Sequence, residues 1–183
     1  MTAREAIALD PISSLSIDAA PIEARLGGHQ LSIPRNWIQS AFKGSYDVLY
    51  LHLATTFPEL TGVTAETLGL FQASKDEQGR KIIWIGRVAY GSLAQWRARP
   101  WIEVSEHEAA SLTSAPPGQG VRLKTDDALL IGFNDQDGVI GWSDLIEIAP
   151  GALFMCRYAA PLLSRWREIH DSLSGKLSAF LVS

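Results

Sequence analysis

The sequence predicts an α+β fold in which a mainly antiparallel sheet carries a long C-terminal helix packed on one face. Short segments that alternate apolar and polar residues lie between turns rich in glycine and proline, which is typical of strands. Near the C-terminus, apolar residues recur at steps of three and four, which is typical of an amphipathic helix. The chain has 183 residues, a length that suits one domain of about 100–200 residues.

The chain divides into two parts near residue 20. Residues 1–20 alternate small, acidic and isolated apolar residues, and Pro11 with Ser13–Ser14 interrupts any helix, so we expect a flexible N-terminal arm. Regular patterns begin at Ile22 and contain no internal repeat. Residues 21–183 are therefore expected to form a single α+β domain.

Two hairpins and three further strands are predicted. Alternating runs flank Gly27–Gly28, and this pattern predicts a hairpin because glycine supplies the positive φ of tight hairpin turns. The polar segment Asn134–Gly138 predicts a second hairpin turn. Ile82–Val88 is apolar on both faces, so we expect an interior strand with Trp84 in the core. The predicted strands are Ile22–Leu26, His29–Ile33, Tyr46–Thr55 with its leucines inward, Ile82–Val88, Ala128–Phe133, Val139–Trp142 and Ala152–Tyr158.

The closing segment has the strongest helical pattern. One apolar stripe is predicted to face the sheet, and it consists of Leu162, Trp166, Ile169, Leu173, Leu177, Phe180 and Leu181. Pro161 suits the first turn of such a helix, where its missing N–H is not needed.

Composition and charge exclude several classes of protein. With 16 Lys+Arg and 20 Asp+Glu the formal charge is −4, and the basic residues are scattered, so a nucleic-acid-binding protein is not expected. No apolar stretch approaches the ~18 residues of a membrane span. The single cysteine, Cys156, cannot form an intramolecular disulfide, and we expect a cytoplasmic location.

Motifs for metals, cofactors and catalysis are absent from the sequence, so no metal and no cofactor is expected. One cysteine and four dispersed histidines do not make a zinc site. The glycines form no phosphate-binding loop and no nucleophile elbow. An EF-hand alignment of Asn134–Gly138 places Phe133 where the first carboxylate is needed, which favours a polar turn. Cys156 lies in an apolar strand, the usual setting of a buried structural thiol.

An enzyme remains the alternative hypothesis. It would be a small hydrolase-like protein in which His52 or His107 acts beside a neighbouring acid. A different candidate catalytic site pairs Cys156, as a thiol nucleophile, with His170 as its base. The sequence spacing implies no Asn or Asp that would orient this histidine.

The favoured hypothesis is a non-enzymatic domain that binds another protein. The chain has six tryptophans, and three of them lie in loop-like segments beside arginine, asparagine and proline. Tryptophan and arginine are enriched in the residues that dominate binding energy. The predicted partner-binding residues are Trp37, Trp96, Arg97, Arg99 and Trp101.

Two short segments carry a resemblance to a known group of proteins. Leu31–Trp37 contains an Ile-Pro-Arg-Asn-Trp turn, and Leu163–His170 contains Trp-x-x-Ile in the closing helix. They resemble small uncharacterised bacterial proteins, immunity-like or envelope-associated, that pair an early Ile-Pro-Arg/Lys-Asn-aromatic turn with such a helix. The resemblance implies an immunity-type inhibitor of a bacterial protein toxin, and it assigns no catalytic residue.

Overall fold

A computed structural model of the chain describes residues 10–12, 14–43, 51–78 and 80–182. Its strands are β1 (Asp10–Ile12), β2 (Pro21–Leu26), β3 (His29–Pro34), β4 (Ile38–Lys43), β5 (Leu51–Thr56), β6 (Ile82–Arg87), β7 (Ile102–Val104), β8 (Val121–Leu123), β9 (Leu130–Asn134), β10 (Ile140–Ala149) and β11 (Ala152–Tyr158). Its α-helices are α1 (Leu68–Phe71), α2 (Lys75–Gln78), α3 (Leu93–Arg97), α4 (Glu106–Ser111) and α5 (Trp166–Ser178). Two 3-10 helices cover Arg35–Trp37 and Ala160–Arg165.

Nine of these strands form one sheet in the order β1-β4-β5-β6-β11-β10-β9-β8-β7, and β2 and β3 form a separate hairpin. Neighbouring strands are antiparallel except β7 and β8, which are parallel. The predicted mainly antiparallel α+β fold is confirmed. Strand β6 lies in the interior of the sheet, as its apolar sequence predicts.

Helix α5 covers one face of the sheet, which we call the helix face. The stripe residues Trp166, Ile169, Leu173 and Leu177 are buried in one cluster with Phe154 of β11, which confirms the predicted packing. The α-helix begins later than the stripe does, because Ala160–Arg165 forms a 3-10 helix with a proline in its first turn.

The opposite face of the sheet, which we call the second face, is covered in two places. Helix α1 contributes Phe71 to a cluster with Ala54 of β5 and Ile82 of β6. Helix α3 contributes Trp96 to a cluster with Leu145 and Leu153 of the central strands. Between these clusters lie the middle residues of β5, β6 and β11.

The β2–β3 hairpin contacts the turn between β10 and β11 on one side and the segment after α5 on the other. Its strands pair in register from Pro21↔Pro34 to Leu26↔His29, which confirms the first predicted hairpin. Gly27 has φ 58°, and an added Cβ would lie 2.4 Å from the main chain of Gly151, so glycine is needed there for two reasons. On its other side the hairpin is bound by the C-terminal segment, since Ser32 N donates to Phe180 O at 2.7 Å.

The second predicted hairpin is also confirmed, with β9 and β10 pairing from Ile140↔Asn134 to Asp144↔Leu130. Asp135 Oδ1 accepts hydrogen bonds from the main-chain N–H groups of Asp137 and Val139, which explains the acidic turn without a metal. Strand β11 matches the predicted Ala152–Tyr158.

Strand β5 begins at Leu51, and residues 46–50 of the predicted strand lie outside the described residues. Leu51 and Leu53 are buried on the helix face, which confirms the inward leucines for these two positions. Residues 1–9 and 13 of the expected N-terminal arm also lie outside the description, whereas Asp10–Ile12 pair with β4.

The expectation that Trp84 lies in the core is wrong, because this side chain is 37% exposed. Its strand is central, but its side chain points to the uncovered part of the second face. Among the described residues, no helix is long and apolar enough to cross a membrane.

Leu173 provides the test of the α5 packing. Leu173→Ala removes a fully buried side chain from the helix face, so we expect the free energy of unfolding to fall by about 2–5 kcal/mol. The control is Lys176→Ala on the exposed side of the same helix, which should change stability by less than about 0.5 kcal/mol. Denaturant melts measure both. Equal effects of the two substitutions would contradict the packing.

Candidate functional site

A groove crosses the second face of the sheet between α1 and α3. Strand pairing places His52, Gly86 and Met155 side by side, and it places Trp84 next to Arg157 one step further along. Gly86 has no side chain, so the sheet surface forms a depression between the side chains of His52 and Met155. The groove has a volume of about 510 Å³.

The loop after β6 closes one end of the groove. Tyr90 in this loop is 74% exposed, and its carbonyl oxygen accepts a hydrogen bond from Trp96 Nε1 at 3.4 Å. Helix α3 follows at once, because Ser92 and Gln95 form a capping box at its start. The cap and the hydrogen bond together fix Tyr90 beside Trp96.

Beyond Trp96 the rings continue as an ordered stack. The rings of Trp96 and Trp101 lie 6.3 Å apart and 13° from parallel, and Trp101 Nε1 donates to Trp96 O at 2.8 Å. The Arg99 guanidinium lies 3.6 Å from the centre of the Trp96 ring, a cation–π arrangement. Phe133 packs edge-on against Trp101 at 5.5 Å. We call Trp84, Tyr90, Trp96, Arg99 and Trp101 the aromatic–arginine strip.

The structure brings together four of the five sequence-predicted binding residues. Trp96, Arg97, Arg99 and Trp101 lie on α3 and the segment after it, where Arg97 donates to Asp127 O. Trp96 is itself only 7% exposed, so most of its ring is buried on the second face. Trp37 lies elsewhere: it is 4% exposed, and its ring packs edge-on against Phe180 at 5.3 Å within the helix-face core. A role of Trp37 in binding stays a prediction.

Sequence reasoning missed Trp84, Gly86 and Tyr90. The exposed Tyr90 follows β6 in a glycine-containing turn, a common place for a binding aromatic residue. Nothing in the local pattern distinguishes Trp84 from a core residue, since its exposure depends on which elements cover the second face.

In the part of the chain that the structure describes, the residues that line the groove include no aspartate and no glutamate. Arg157 is exposed there beside Trp84. Partial burial lowers the pKa of His52, so this imidazole is neutral at pH 7. The groove therefore offers an apolar floor, aromatic walls and a positive charge at one side.

The helix face holds a buried acid–base pair. His170 Nδ1 lies 2.8 Å from Asp144 Oδ2, and the Asp144 side chain is fully buried. The hydrogen bond to Asp144 raises the pKa of His170, while burial raises the pKa of Asp144. Cys156 is the strand neighbour of Asp144, and burial raises the pKa of its thiol well above the usual range. This confirms a buried structural thiol, which is not the reactive thiolate of a nucleophile.

The histidines of the enzyme hypothesis lie in different places. His52 is in the groove, where none of the described lining residues is a carboxylate. His107 is exposed on α4 next to Glu106, but Glu106 pairs with Arg167 and accepts a hydrogen bond from Trp166 Nε1 at 3.1 Å. Within the described part of the chain, no three His, Cys, Asp or Glu side chains are grouped as a metal site.

Comparison with known proteins shows a likeness of fold. No protein-family model and no curated protein matches the sequence. Among solved structures, an immunity protein of the Stenotrophomonas maltophilia type IV secretion system matches with a TM-score of 0.50 and 11% sequence identity. The match covers 90% of this chain and 94% of that protein. At this identity the likeness establishes a shared α+β fold.

The Asp144–His170 pair predicts how stability depends on pH. Because the folded pKa of His170 is raised above 6.5, the folded state holds this proton more tightly than the unfolded chain. The stabilisation is complete below the unfolded value and is lost as pH rises through the folded value. We therefore expect the free energy of unfolding to fall as pH rises above about 6.5.

His170→Gln should flatten this part of the pH profile, whereas His107→Gln at an exposed position of α4 should leave it unchanged. Urea melts at a series of pH values measure both. A wild-type slope that His170→Gln does not reduce would show that another group binds the proton.

Proposed function

We propose that this chain is a non-enzymatic protein-binding domain of the immunity type, which inhibits a bacterial protein toxin by binding it. The observation that carries the proposal is the aromatic–arginine strip, where the exposed side chains of Trp84, Tyr90 and Arg99 adjoin the stacked rings of the buried Trp96 and the half-buried Trp101. The likeness of fold to a bacterial immunity protein supports the same class of function.

The strip has the physical features of a protein-binding surface. Tryptophan and tyrosine bury a large area with few rotatable bonds, so little conformational entropy is lost on binding. The Trp96 and Trp101 rings are already held by main-chain hydrogen bonds, which lowers the ordering cost further. Arg99 is exposed and stacked on Trp96, and its planar guanidinium can pair with a carboxylate of a partner.

The net charge of −4 suits a partner with a basic surface, because opposite charges accelerate the encounter of two proteins. We propose a cytoplasmic location, since the one cysteine is free and buried and needs no oxidising compartment. A nucleic acid is not proposed as the partner.

The alternative is a small hydrolase-like enzyme with a His/carboxylate site, and the Asp144–His170 hydrogen bond is the observation that favours it. Asp144 is buried under α5, and the neighbouring Cys156 thiol has a raised pKa, so no activated nucleophile accompanies the pair. The two proposals differ in their requirements: an enzyme needs His170 for its activity, whereas a binder needs the strip.

Substitutions in the strip test the binding proposal. We expect Trp101→Ala to weaken binding of the partner by at least ~2 kcal/mol, which is about 30-fold in Kd, because a buried hot-spot ring would be lost. Tyr90→Ala and Arg99→Ala should weaken it in the same direction. The partner is obtained by capture from an extract of the native cell, and calorimetry measures the affinity.

Arg25→Ala, an exposed arginine on the β2–β3 hairpin, is the matched control for Arg99→Ala. Near-ultraviolet circular dichroism verifies that each variant is folded. If the folded strip variants bind as tightly as the wild type, the interface lies elsewhere. Protection of cells that express a toxin encoded beside this gene tests the immunity role itself, and failure to protect would contradict it.

A further inference from the structure

We propose that the groove beside Trp84 binds an acidic segment of the partner protein, with a carboxylate against Arg157 and a neighbouring apolar side chain over Gly86. The inference rests on the proposed function, since it names the part of the partner that the second face recognises. Three observations carry it.

The first observation is the shape of the groove. Trp84, Gly86 and Val88 follow one another at alternate positions of β6 and the residue after it, so this line is about 13 Å long at ~3.3 Å per residue, and Tyr90 lies in the bend that follows. His52 and Met155 flank it at Gly86. A volume of about 510 Å³ lies within the range of ~300–1,000 Å³ that holds a bound molecule. The groove thus has room for about four residues of extended chain at ~3.3 Å per residue, with one or two side chains inserted.

The second observation is the distribution of charge. Acidic residues outnumber basic residues by 20 to 16 in the whole chain, yet the described residues that line the groove include no carboxylate. The ion pairs among the described residues do not involve Arg157. A basic segment would meet no opposite charge among the described lining residues, whereas an acidic segment would meet this exposed guanidinium. The charge therefore selects against lysine and arginine in the bound segment.

The third observation is an unsatisfied polar atom in the groove wall. Strand β4 has one extra residue relative to β5, because Ile38 pairs with Leu53 but Ser40 pairs with His52. Such a bulge redirects the side chain of the extra residue, and here that residue is Gln39, which lines the groove. Its Nε2 is buried and has no hydrogen-bond partner in the described structure. A carboxylate oxygen of the bound segment would accept this hydrogen bond.

Two segments of opposite charge on the partner would fix its orientation. The overall negative charge of this chain attracts a basic surface, while the groove accepts a local acidic segment. A partner whose basic surface and acidic segment were exchanged would place like charges together, and this repulsion would weaken binding. The groove would therefore contribute specificity beyond the affinity supplied by the stacked rings.

A pair of labelled peptides tests the inference on the full chain. One peptide of about six residues alternates aspartate with leucine, and the other has lysine in place of each aspartate. Fluorescence anisotropy should show at least tenfold tighter binding of the acidic peptide, and added salt should weaken it. Arg157→Glu should reverse the preference, whereas Arg25→Glu on the hairpin should not.

Gly86→Val fills the groove without removing any proposed binding group. Its φ lies outside the left-handed region, and the nearest atoms to an added Cβ belong to the His52 ring at 3.6 and 3.8 Å, so the strand should tolerate the change. We expect it to weaken acidic-peptide binding at least tenfold. Gly141→Val is the matched control, since it is a strand glycine outside the groove lining whose Cβ would lie 3.9 Å from Phe133 O.

Equal binding of the two peptides, binding of neither, or undiminished binding of the acidic peptide to folded Gly86→Val would each overturn the inference. Phenylacetate that bound as tightly as the acidic peptide would assign the groove to a small carboxylate and would overturn it too. These outcomes leave the immunity proposal standing, because that proposal is contradicted by failure of the wild-type chain to protect cells from the toxin and not by the peptide results. A toxin bound equally well by Gly86→Val likewise contradicts the groove inference alone.

Discussion

The position of helix α5 on the sheet determines which surface is left for binding. Its apolar stripe buries Ile169, Leu173 and Leu177 against the helix face, and this burial supplies most of the energy of contact. The hydrogen bond between His170 and Asp144 adds a directional constraint, because a fully buried carboxylate is costly unless it is paired. Rotation of α5 about its axis would separate this pair, so the helix has one favourable orientation. Helix α5 therefore covers its part of the helix face in a fixed orientation.

The second face is covered less completely, and the proposed function assigns partner binding to it. Helices α1 and α3 are short, so each covers only part of this face, and the groove lies in the gap between them. Trp96 has two roles here, since its ring packs on Leu145 and Leu153 and also lines the groove. A side chain anchored in the core in this way is held rigidly, which favours binding because its conformation is set in advance. The same packing means that its removal would affect stability as well as affinity.

Features that depend on local sequence could be predicted, and features that depend on distant contacts could not. The turn at Gly27–Gly28 and the stripe of α5 are encoded within a few residues, so both were predicted correctly. The exposure of Trp84 depends on the lengths of α1 and α3, and the burial of Trp37 depends on Phe180 at the far end of the chain. Asp144 and His170 are 26 positions apart, and only the packing of α5 brings them together. Of the candidate site, the cluster from Trp96 to Trp101 could be predicted because it is nearly contiguous in sequence.

The likeness to an immunity protein and the side chains of the second face bear on different questions. A fold shared at 11% identity preserves the arrangement of sheet and helices, but few side chains are common to the two proteins. The arrangement determines that one face is covered by a helix and that the other is partly open. The proposed function assigns the choice of partner to residues on the open part, such as Trp84, Arg157 and Gly86, because charge and shape at the contact set specificity. A shared fold leaves these positions free to differ, so the fold by itself does not fix the partner.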